Sequence, residues 1–240
     1  QDILNDDDVK SIDAEYSKRM RSLLSVDDLI VALHALLVEY DEWENTFVMF
    51  SSDHGYSLGQ YRIPTHKMQV YENTLRVPFL VHGPGIVAGT DITALTQFAD
   101  IGPTLMQIAG ATSTPAIMDG RSFVSFLDTT VPASPRPWRT EHLATHQAIY
   151  YQHCVKNNSN GTISSTCGRH PITDATNTHR SIRIINSTHS LMYAEFTDVT
   201  LPAGWDFSPG SIQFYELYDM QADPYQLKNL YATADEALKQ

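Results

Sequence analysis

The chain has 240 residues with 16 Lys plus Arg against 28 Asp plus Glu, which gives a formal net charge of -12 at pH 7. This charge repels nucleic-acid phosphates at long range and argues against a nucleic-acid-binding protein. Hydrophobic residues make up 42% of the chain, enough for a folded core. The most apolar run, residues 29–38, is shorter than the roughly 20 residues that cross a bilayer, so we expect no membrane span.

The first half of the chain predicts a helix followed by strands. Apolar residues recur every three to four positions from Arg19 to Tyr40, which predicts an amphipathic helix. Short apolar runs at 46–50 and 77–81 predict two buried strands, and residues 103–110 have the pattern of a short helix. A helix followed by a buried strand is typical of an α/β layer.

The second half changes character after Leu127. The segment Val131–Pro137 contains three prolines and is interpreted as a linker. Beyond it, alternating patterns predict a small antiparallel sheet, and a terminal helix is expected from about Pro224. The predicted strands are Ser181–Ile185, Leu191–Phe196 and Gln213–Tyr218. We therefore predict a division into 1–130, part of an α/β domain, and 131–240, a smaller antiparallel β subdomain with a terminal helix.

Asp53 and His54 directly follow the first predicted strand. Ligands of open α/β sheets bind at the carboxyl ends of the strands, and a carboxylate beside an imidazole can hold a divalent cation. Lys67 follows in a loop that we expect to fold back over the strand end. A cation and an ammonium together would neutralise an ester oxyanion and its leaving oxygen. The structural alternative is a turn in which Asp53 accepts backbone hydrogen bonds and Lys67 is a solvated surface residue.

Gly55-Tyr56-Ser57-Leu58-Gly59 fits the Gly-x-Ser-x-Gly nucleophile elbow of serine hydrolases. That motif needs a strand before the serine and a helix directly after it, and Pro64 disfavours such a helix. Because the sequence assigns no acid or histidine partner, a Ser57 nucleophile is the weaker alternative.

Three asparagines occupy N-glycosylation sequons: Asn157, Asn160 and Asn186. Two of these sequons lie between Cys154 and Cys167, which indicates an oxidising, secretory or lysosomal route and favours a disulfide between the two cysteines. Free thiols remain open, as does a zinc site that adds His153 and His170 as ligands. The chain begins at Gln1 with acidic residues instead of the basic and apolar stretches of a signal peptide, so we expect a processed or partial chain.

Further motifs are spread from about Arg19 to Leu230. They are Phe50-Ser51-Ser52-Asp53-His54-Gly55-Tyr56-Ser57-Leu58-Gly59-Gln60, Lys67, Arg76-Val77-Pro78-Phe79-Leu80-Val81, Gly83-Pro84-Gly85-Ile86, Asp100-Ile101-Gly102-Pro103-Thr104-Leu105, Asp119-Gly120-Arg121-Ser122, Glu216-Leu217-Tyr218-Asp219-Met220 and Asp223-Pro224-Tyr225. Together they resemble the sulfatase family, in particular its N-acetylglucosamine-6-sulfatase-like and arylsulfatase members.

The resemblance implies an alkaline-phosphatase-like α/β core with a small antiparallel β-rich C-terminal subdomain, of which this chain is the C-terminal part. In sulfatases the aspartate and the next residue after the strand are calcium ligands, here Asp53 and His54. The loop lysine, here Lys67, contacts the sulfate ester. The implied activity is hydrolysis of the sulfate esters of a glycosaminoglycan-like sugar or of an aryl sulfate.

The resemblance also implies groups that this sequence does not contain. Sulfatases use a cysteine in a Cys-x-Pro/Ser/Ala-x-Arg motif, oxidised to the formylglycine nucleophile, and two early aspartates that complete the calcium site. Neither Cys154 nor Cys167 is followed by that pattern. We therefore expect the nucleophile on an N-terminal half of the same enzyme and expect this chain alone to be inactive. Its helix and strands should then expose apolar surface that the other half covers.

Two other functions stay open on the sequence. A zinc phosphodiesterase of the same superfamily also binds metal at an Asp-His-Gly turn, and imidazole suits zinc better than calcium. A non-catalytic fragment or glycan-binding chain would need no nucleophile. For any of these functions, the sequons and cysteines predict a lysosomal or secreted protein.

Overall fold

The computed structural model describes residues 4–63, 65, 67–113, 115–146, 177–197 and 206–239. The chain forms two compact units, and each is built from two separate stretches of the sequence. The first unit contains the chain up to Asp53 together with Val77–His142, and the second contains His54–Arg76 together with the chain from Leu143 onward. None of the helices in the described ranges combines the length and the apolar character that a bilayer crossing requires.

The first unit begins with a long helix, α1, Asp6–Glu39. It starts earlier than the apolar pattern predicts because Asn5 caps it, with its side chain accepting from the backbone N–H groups of Asp7 and Asp8. Within α1 only Ile12 is buried. The expected exposure of apolar surface is confirmed on this helix, where the exposed residues are Val9, Tyr16, Met20, Leu23, Leu24, Leu29, Ile30, Val31, Leu33, Leu36 and Val38.

Two short strands follow at the predicted places: β1, Val48–Ser51, and β2, Phe79–His82. They pair antiparallel, with Phe50 opposite Leu80. These two side chains are 37% and 59% exposed, so the prediction of fully buried strands is wrong for this chain. In sequence, a one-turn helix, α2, Glu72–Leu75, comes between β1 and β2, and it belongs to the second unit.

The predicted short helix is confirmed as α3, Ile101–Ile108, and a one-turn helix, α4, Val124–Leu127, follows it. Asp100 precedes α3 and is fully buried. Its carboxylate accepts backbone N–H groups of Gln97 and Arg121, and it forms a bidentate ion pair with the Arg139 guanidinium. This charge is buried at tolerable cost because both of its oxygens are paired.

A four-stranded sheet has the order β3-β4-β5-β6, and its strands β4, β5 and β6 lie in the second unit. Its strands are β3, Glu141–His146, β4, Thr178–Ile185, β5, Ser190–Thr197, and β6, Ile212–Asp219. The pairs β4–β5 and β5–β6 are antiparallel, which confirms the small antiparallel sheet predicted from sequence alternation. Its core consists of Val70, Met192, Ala194, Tyr218 and Met220, with Tyr71 and Phe196 packed against them.

The terminal helix is shorter than predicted. Turns, not a helix, follow Pro224, and the last helix, α5, spans Glu236–Lys239. Side-chain hydrogen bonds account for the difference, because Asp223 accepts from the Lys228 N–H and Asn229 donates to the Tyr215 carbonyl. These bonds give the backbone an alternative to a helical ladder. The division of the chain at residue 130 stays a prediction.

Candidate active site

His54 and Lys67 lie together in the second unit. The Lys67 Nζ is 2.6 Å from the His54 Nε2, as the folding back of the loop predicts. On the other side of the ring, His54 Nδ1 lies 2.7 Å from the Gly55 carbonyl oxygen. Because a carbonyl oxygen can only accept a hydrogen bond, the ring proton lies on Nδ1, which donates the hydrogen bond to it. Nε2 therefore presents a lone pair, which accepts a hydrogen bond from the Lys67 ammonium.

Backbone contacts hold the turn that carries His54. The Gly55 N–H donates to the Thr74 carbonyl over 2.8 Å. A Cβ atom at Gly55 would lie 1.7 Å from the Asn73 carbonyl oxygen, so this close approach of two backbones requires glycine. The Asn73 side chain also donates to the Ser57 Oγ over 3.0 Å. The turn at 54–57 and the segment at 73–74 therefore form one structural piece.

Asp53 is exposed and follows β1, with Ser52 between them, at the boundary where the first unit ends and the second begins. A carboxylate such as that of Asp53 and an imidazole such as that of His54 are each of a type that binds divalent cations. No cluster of three or more His, Cys, Asp or Glu side chains able to hold a metal occurs among the described residues. Two side chains would be too few for a complete shell, since calcium takes six to eight oxygen ligands and zinc four ligands, so a metal held here would need further ligands.

The serine-elbow alternative does not fit the structure. Ser57 is fully buried, and its Oγ accepts from Asn73. It is followed by the short 3-10 turn Gln60–Arg62, not by an α-helix. An elbow serine must be exposed at the start of a helix to attack a substrate, so the structure argues against Ser57 as the nucleophile.

The other predicted site residues fall in different places. Asn186 lies in the exposed turn between β4 and β5. Asn157, Asn160, Cys154 and Cys167 lie outside the described residues, and so does the alternative zinc site. The disulfide and the glycosylation of the two sequons between the cysteines therefore stay predictions.

The sequence did not reveal the side chains that anchor the Lys67 segment to the sheet. Arg183 Nε donates to Glu72 Oε1 over 2.8 Å, and Tyr71 donates to Glu216 over 3.2 Å. Burial raises the pKa of Glu216 to about 7, while the hydrogen bond from Tyr71 lowers it. The partners are 111 and 145 residues apart, and no local pattern marks such contacts.

Two family models match this chain. The family model described as Sulfatase matches residues 3–111, and the model described as N-sulphoglucosamine sulphohydrolase, C-terminal, matches residues 60–163. The N-acetylglucosamine-6-sulfatase of Bos taurus is 33% identical to this chain over 238 residues. That alignment includes 96% of this chain and 39% of the bovine protein. The chain belongs to the sulfatase family.

Solved structures support the same fold. One, described as a protein in complex with its substrate D-glucosamine-2-N,6-O-disulfate, aligns with a TM-score of 0.64 at 24% identity, covering 90% of this sulfatase chain and 36% of that one. A phosphonate monoester hydrolase from Silicibacter pomeroyi aligns with a TM-score of 0.61 at 21% identity, over 89% and 36% of the two chains. The predicted alkaline-phosphatase-like α/β class is thereby confirmed. Because proteins with different substrates share this fold, fold alone does not assign the substrate.

This sulfatase chain spans about two fifths of the length of the curated relatives that it matches. The candidate site residues in this chain are His54 and Lys67, which are in contact, and Asp53, which precedes His54 in sequence. The activity of the whole protein is therefore a matter of proposal.

Proposed function

We propose that the protein carrying this chain is a sulfuric ester hydrolase acting on a sulfated, glycosaminoglycan-like sugar, with an aryl sulfate as the other substrate class. The observation that carries the proposal is the 2.6 Å contact between Lys67 Nζ and His54 Nε2 in a chain of the sulfatase family. The sugar is favoured because the bovine relative is named for N-acetylglucosamine-6-sulfate hydrolysis and one structural neighbour holds a glucosamine disulfate.

Lys67 supplies positive charge where the substrate needs it. The whole chain carries a formal charge of -12, so its overall field repels a sulfate ester. A half-buried ammonium offsets that repulsion locally and stabilises the charge that develops on the sulfate and on its leaving oxygen. The ammonium has three N–H donors, so one bond to His54 leaves two for ester oxygens.

Asp53 and His54 are the proposed ligands of a calcium ion. When bound, the ion would polarise the sulfate oxygens and lower the charge that Lys67 has to balance. The single lone pair of His54 Nε2 cannot serve both a cation and the Lys67 ammonium. If His54 were a metal ligand, all three Lys67 N–H donors would be left for the ester oxygens.

The nucleophile, a formylglycine by family resemblance, would come from a part of the protein outside these 240 residues, the N-terminal half of the enzyme. This chain alone would then be inactive. The zinc phosphodiesterase alternative is favoured by one feature, the imidazole donor at His54, because imidazole suits zinc better than calcium.

The proposal is tested on the protein in which this chain is joined to the segment that carries the nucleophile motif. Lys67→Met should lower the kcat of sulfate release from a 6-O-sulfated N-acetylglucosamine by roughly 100-fold, as loss of a transition-state charge partner does. Lys18→Met is the matched control, because Lys18 lies exposed on α1 in an i,i+3 pair with Glu15. Bound metal is measured on the same preparations.

Three results would count against the proposal. Stoichiometric zinc with phosphodiester turnover and no sulfate release would favour the phosphodiesterase. Sugar binding without turnover of any ester would favour a glycan-binding chain. Equal kcat for Lys67→Met and Lys18→Met would remove Lys67 from the site.

We further propose N-glycosylation at Asn157, Asn160 and Asn186 and a lysosomal or secreted location. Asn186 carries the structural support, because its exposed side chain accepts from the Thr188 backbone N–H and hydroxyl, each over 2.9 Å. This arrangement holds the amide in an exposed turn between two strands, and N-glycans are attached at the protein surface.

A further inference from the structure

The segment that carries Lys67 is built into the core of the second unit. Lys67 is half-buried, whereas Gln69 and Val70 are 7% and 1% exposed. Val70 belongs to the core cluster on the sheet. A segment with such buried side chains cannot shift without opening a cavity, so the sheet sets where the segment lies.

The far end of the segment is anchored by three polar contacts. Tyr71 donates to Glu216 Oε1 over 3.2 Å, and Arg183 Nε donates to Glu72 Oε1 over 2.8 Å. The Glu72 backbone N–H donates to the Gln226 side-chain oxygen over 2.7 Å. These contacts fix residues 71 and 72, but they leave the backbone beside Lys67 to be held by something else.

Met68, the residue after Lys67, has a backbone φ of 82°. This left-handed region is costly for a residue with a Cβ and persists only where the surroundings enforce it. The Met68 side chain is 44% exposed, so it does not enforce the conformation. The Asn177 side chain does contact the backbone there, because its Nδ2 donates to the Met68 carbonyl over 3.0 Å.

Asn177 is itself fixed. It lies directly before β4, and its own carbonyl accepts from the buried His179 Nδ1 over 2.8 Å. The His179 ring on β4 thus fixes the position of Asn177, and Asn177 in turn contacts the backbone directly after Lys67.

We propose that Asn177 is a positioning residue for Lys67: its hydrogen bond to the Met68 carbonyl holds the turn that brings the Lys67 ammonium to His54. Lysine has a long side chain with large rotamer entropy, so Nζ reaches a fixed partner only when its backbone is confined. The geometric part of this inference stands on contacts within the second unit. Its consequence for turnover rests on the proposed function.

The first test measures the reactivity of Lys67 in the folded full-length protein. Site-resolved acetylation rates of the lysine amines are followed by mass spectrometry in Asn177→Ala and in the isosteric Asn177→Asp, which lacks the N–H donor. We expect Lys67 to react about fivefold faster in both, the factor that one net hydrogen bond supplies. Lys18, with a side chain 68% exposed, gives the rate of a solvated lysine.

Ser181→Ala is the matched control. The Ser181 Oγ donates to the Ala144 carbonyl over 3.2 Å, so this variant also loses a side-chain bond to a backbone carbonyl in the same sheet. It should leave the Lys67 rate unchanged. An unchanged Lys67 rate in a folded Asn177→Asp or Asn177→Ala protein would overturn the proposal, and so would an equal increase in Ser181→Ala.

The second test is a double-mutant cycle on turnover. Asn177→Ala should lower kcat about tenfold with KM changed less than about twofold, and it should change kcat less than about twofold when Lys67 is already Met. An equal loss in both backgrounds would show a merely structural role and overturn the proposal. If Lys67→Met leaves sulfate release unchanged while Asn177 variants still alter Lys67 acetylation, the proposed function fails and the positioning by Asn177 stands.

Discussion

The buried carboxyl of Glu216 predicts an unusual pH dependence of stability. Glu216 lies on β6 and is 7% exposed, and one of its oxygens accepts from Tyr71. Burial raises the pKa of this carboxyl from 4.5 to about 7, because the hydrogen-bonding interactions with the Tyr71 and Tyr218 side chains lower it by less than burial raises it. Ionising the buried carboxyl therefore lowers the unfolding free energy. We expect Glu216→Gln, whose side chain has the same shape but cannot ionise, to remove this cost.

The sign follows from proton binding. Between pH 4.5 and about 7 the folded protein holds the Glu216 proton while the unfolded chain has released it, so stability falls as pH rises through this window. The stabilisation is fully present below pH 4.5 and lost above about pH 7. A shift of this size corresponds to about 3 kcal/mol of unfolding free energy.

The assay is urea unfolding of wild type and Glu216→Gln at pH 4.5, 6 and 7.5. The difference in unfolding free energy should move in favour of Glu216→Gln by about 3 kcal/mol between the lowest and the highest pH. The neighbouring phenols of Tyr71, Tyr61 and Tyr218 have raised pKa values and stay neutral throughout. A difference that does not change with pH would refute the reasoning.

Three further predictions concern other parts of the chain. Burial lowers the pKa of His179 to about 4, so the neutral ring stabilises the fold fully above pH 6.5 and this stabilisation is lost as the pH falls. By pH 4.5 the unfolding free energy of wild type, measured by calorimetry, should have fallen by about 2 to 3 kcal/mol more than that of His179→Gln. Asp100→Asn should cost about 3 kcal/mol or more in urea unfolding, because it leaves the nearly buried Arg139 without its charge partner. Asp7→Asn, its exposed counterpart, should cost under about 1 kcal/mol. Asn186→Gln should remove one N-glycan, seen as a mass below that of wild type, and glycosidase treatment of both proteins should abolish this difference; an unchanged mass would exclude glycosylation there.

Local patterns predicted most of the elements. The strands β1 and β2, the helix α3 and the strands β4, β5 and β6 form where apolar spacing placed them, and α1 forms there but begins 13 residues earlier. Their burial was not predictable in the same way, because Phe50 and Leu80 are exposed despite an apolar pattern typical of buried strands. The prediction of a terminal helix from about Pro224 was wrong because side-chain hydrogen bonds of Asp223 and Asn229 hold the backbone in turns.

The amino-acid sequence alone was enough to recognise the family and to select the candidate site residues. Asp53 and His54 lie in one contiguous motif and Lys67 follows 13 residues after His54, so residue type and spacing were enough to select them as candidates. Only the tertiary structure decided that Ser57 is buried and that the Lys67 ammonium meets the His54 lone pair. It also decided that Asn177, Arg183 and Glu216 hold the Lys67 segment, since these residues lie more than a hundred positions away along the chain. Such contacts arise when distant segments pack into one core, and no local pattern encodes them.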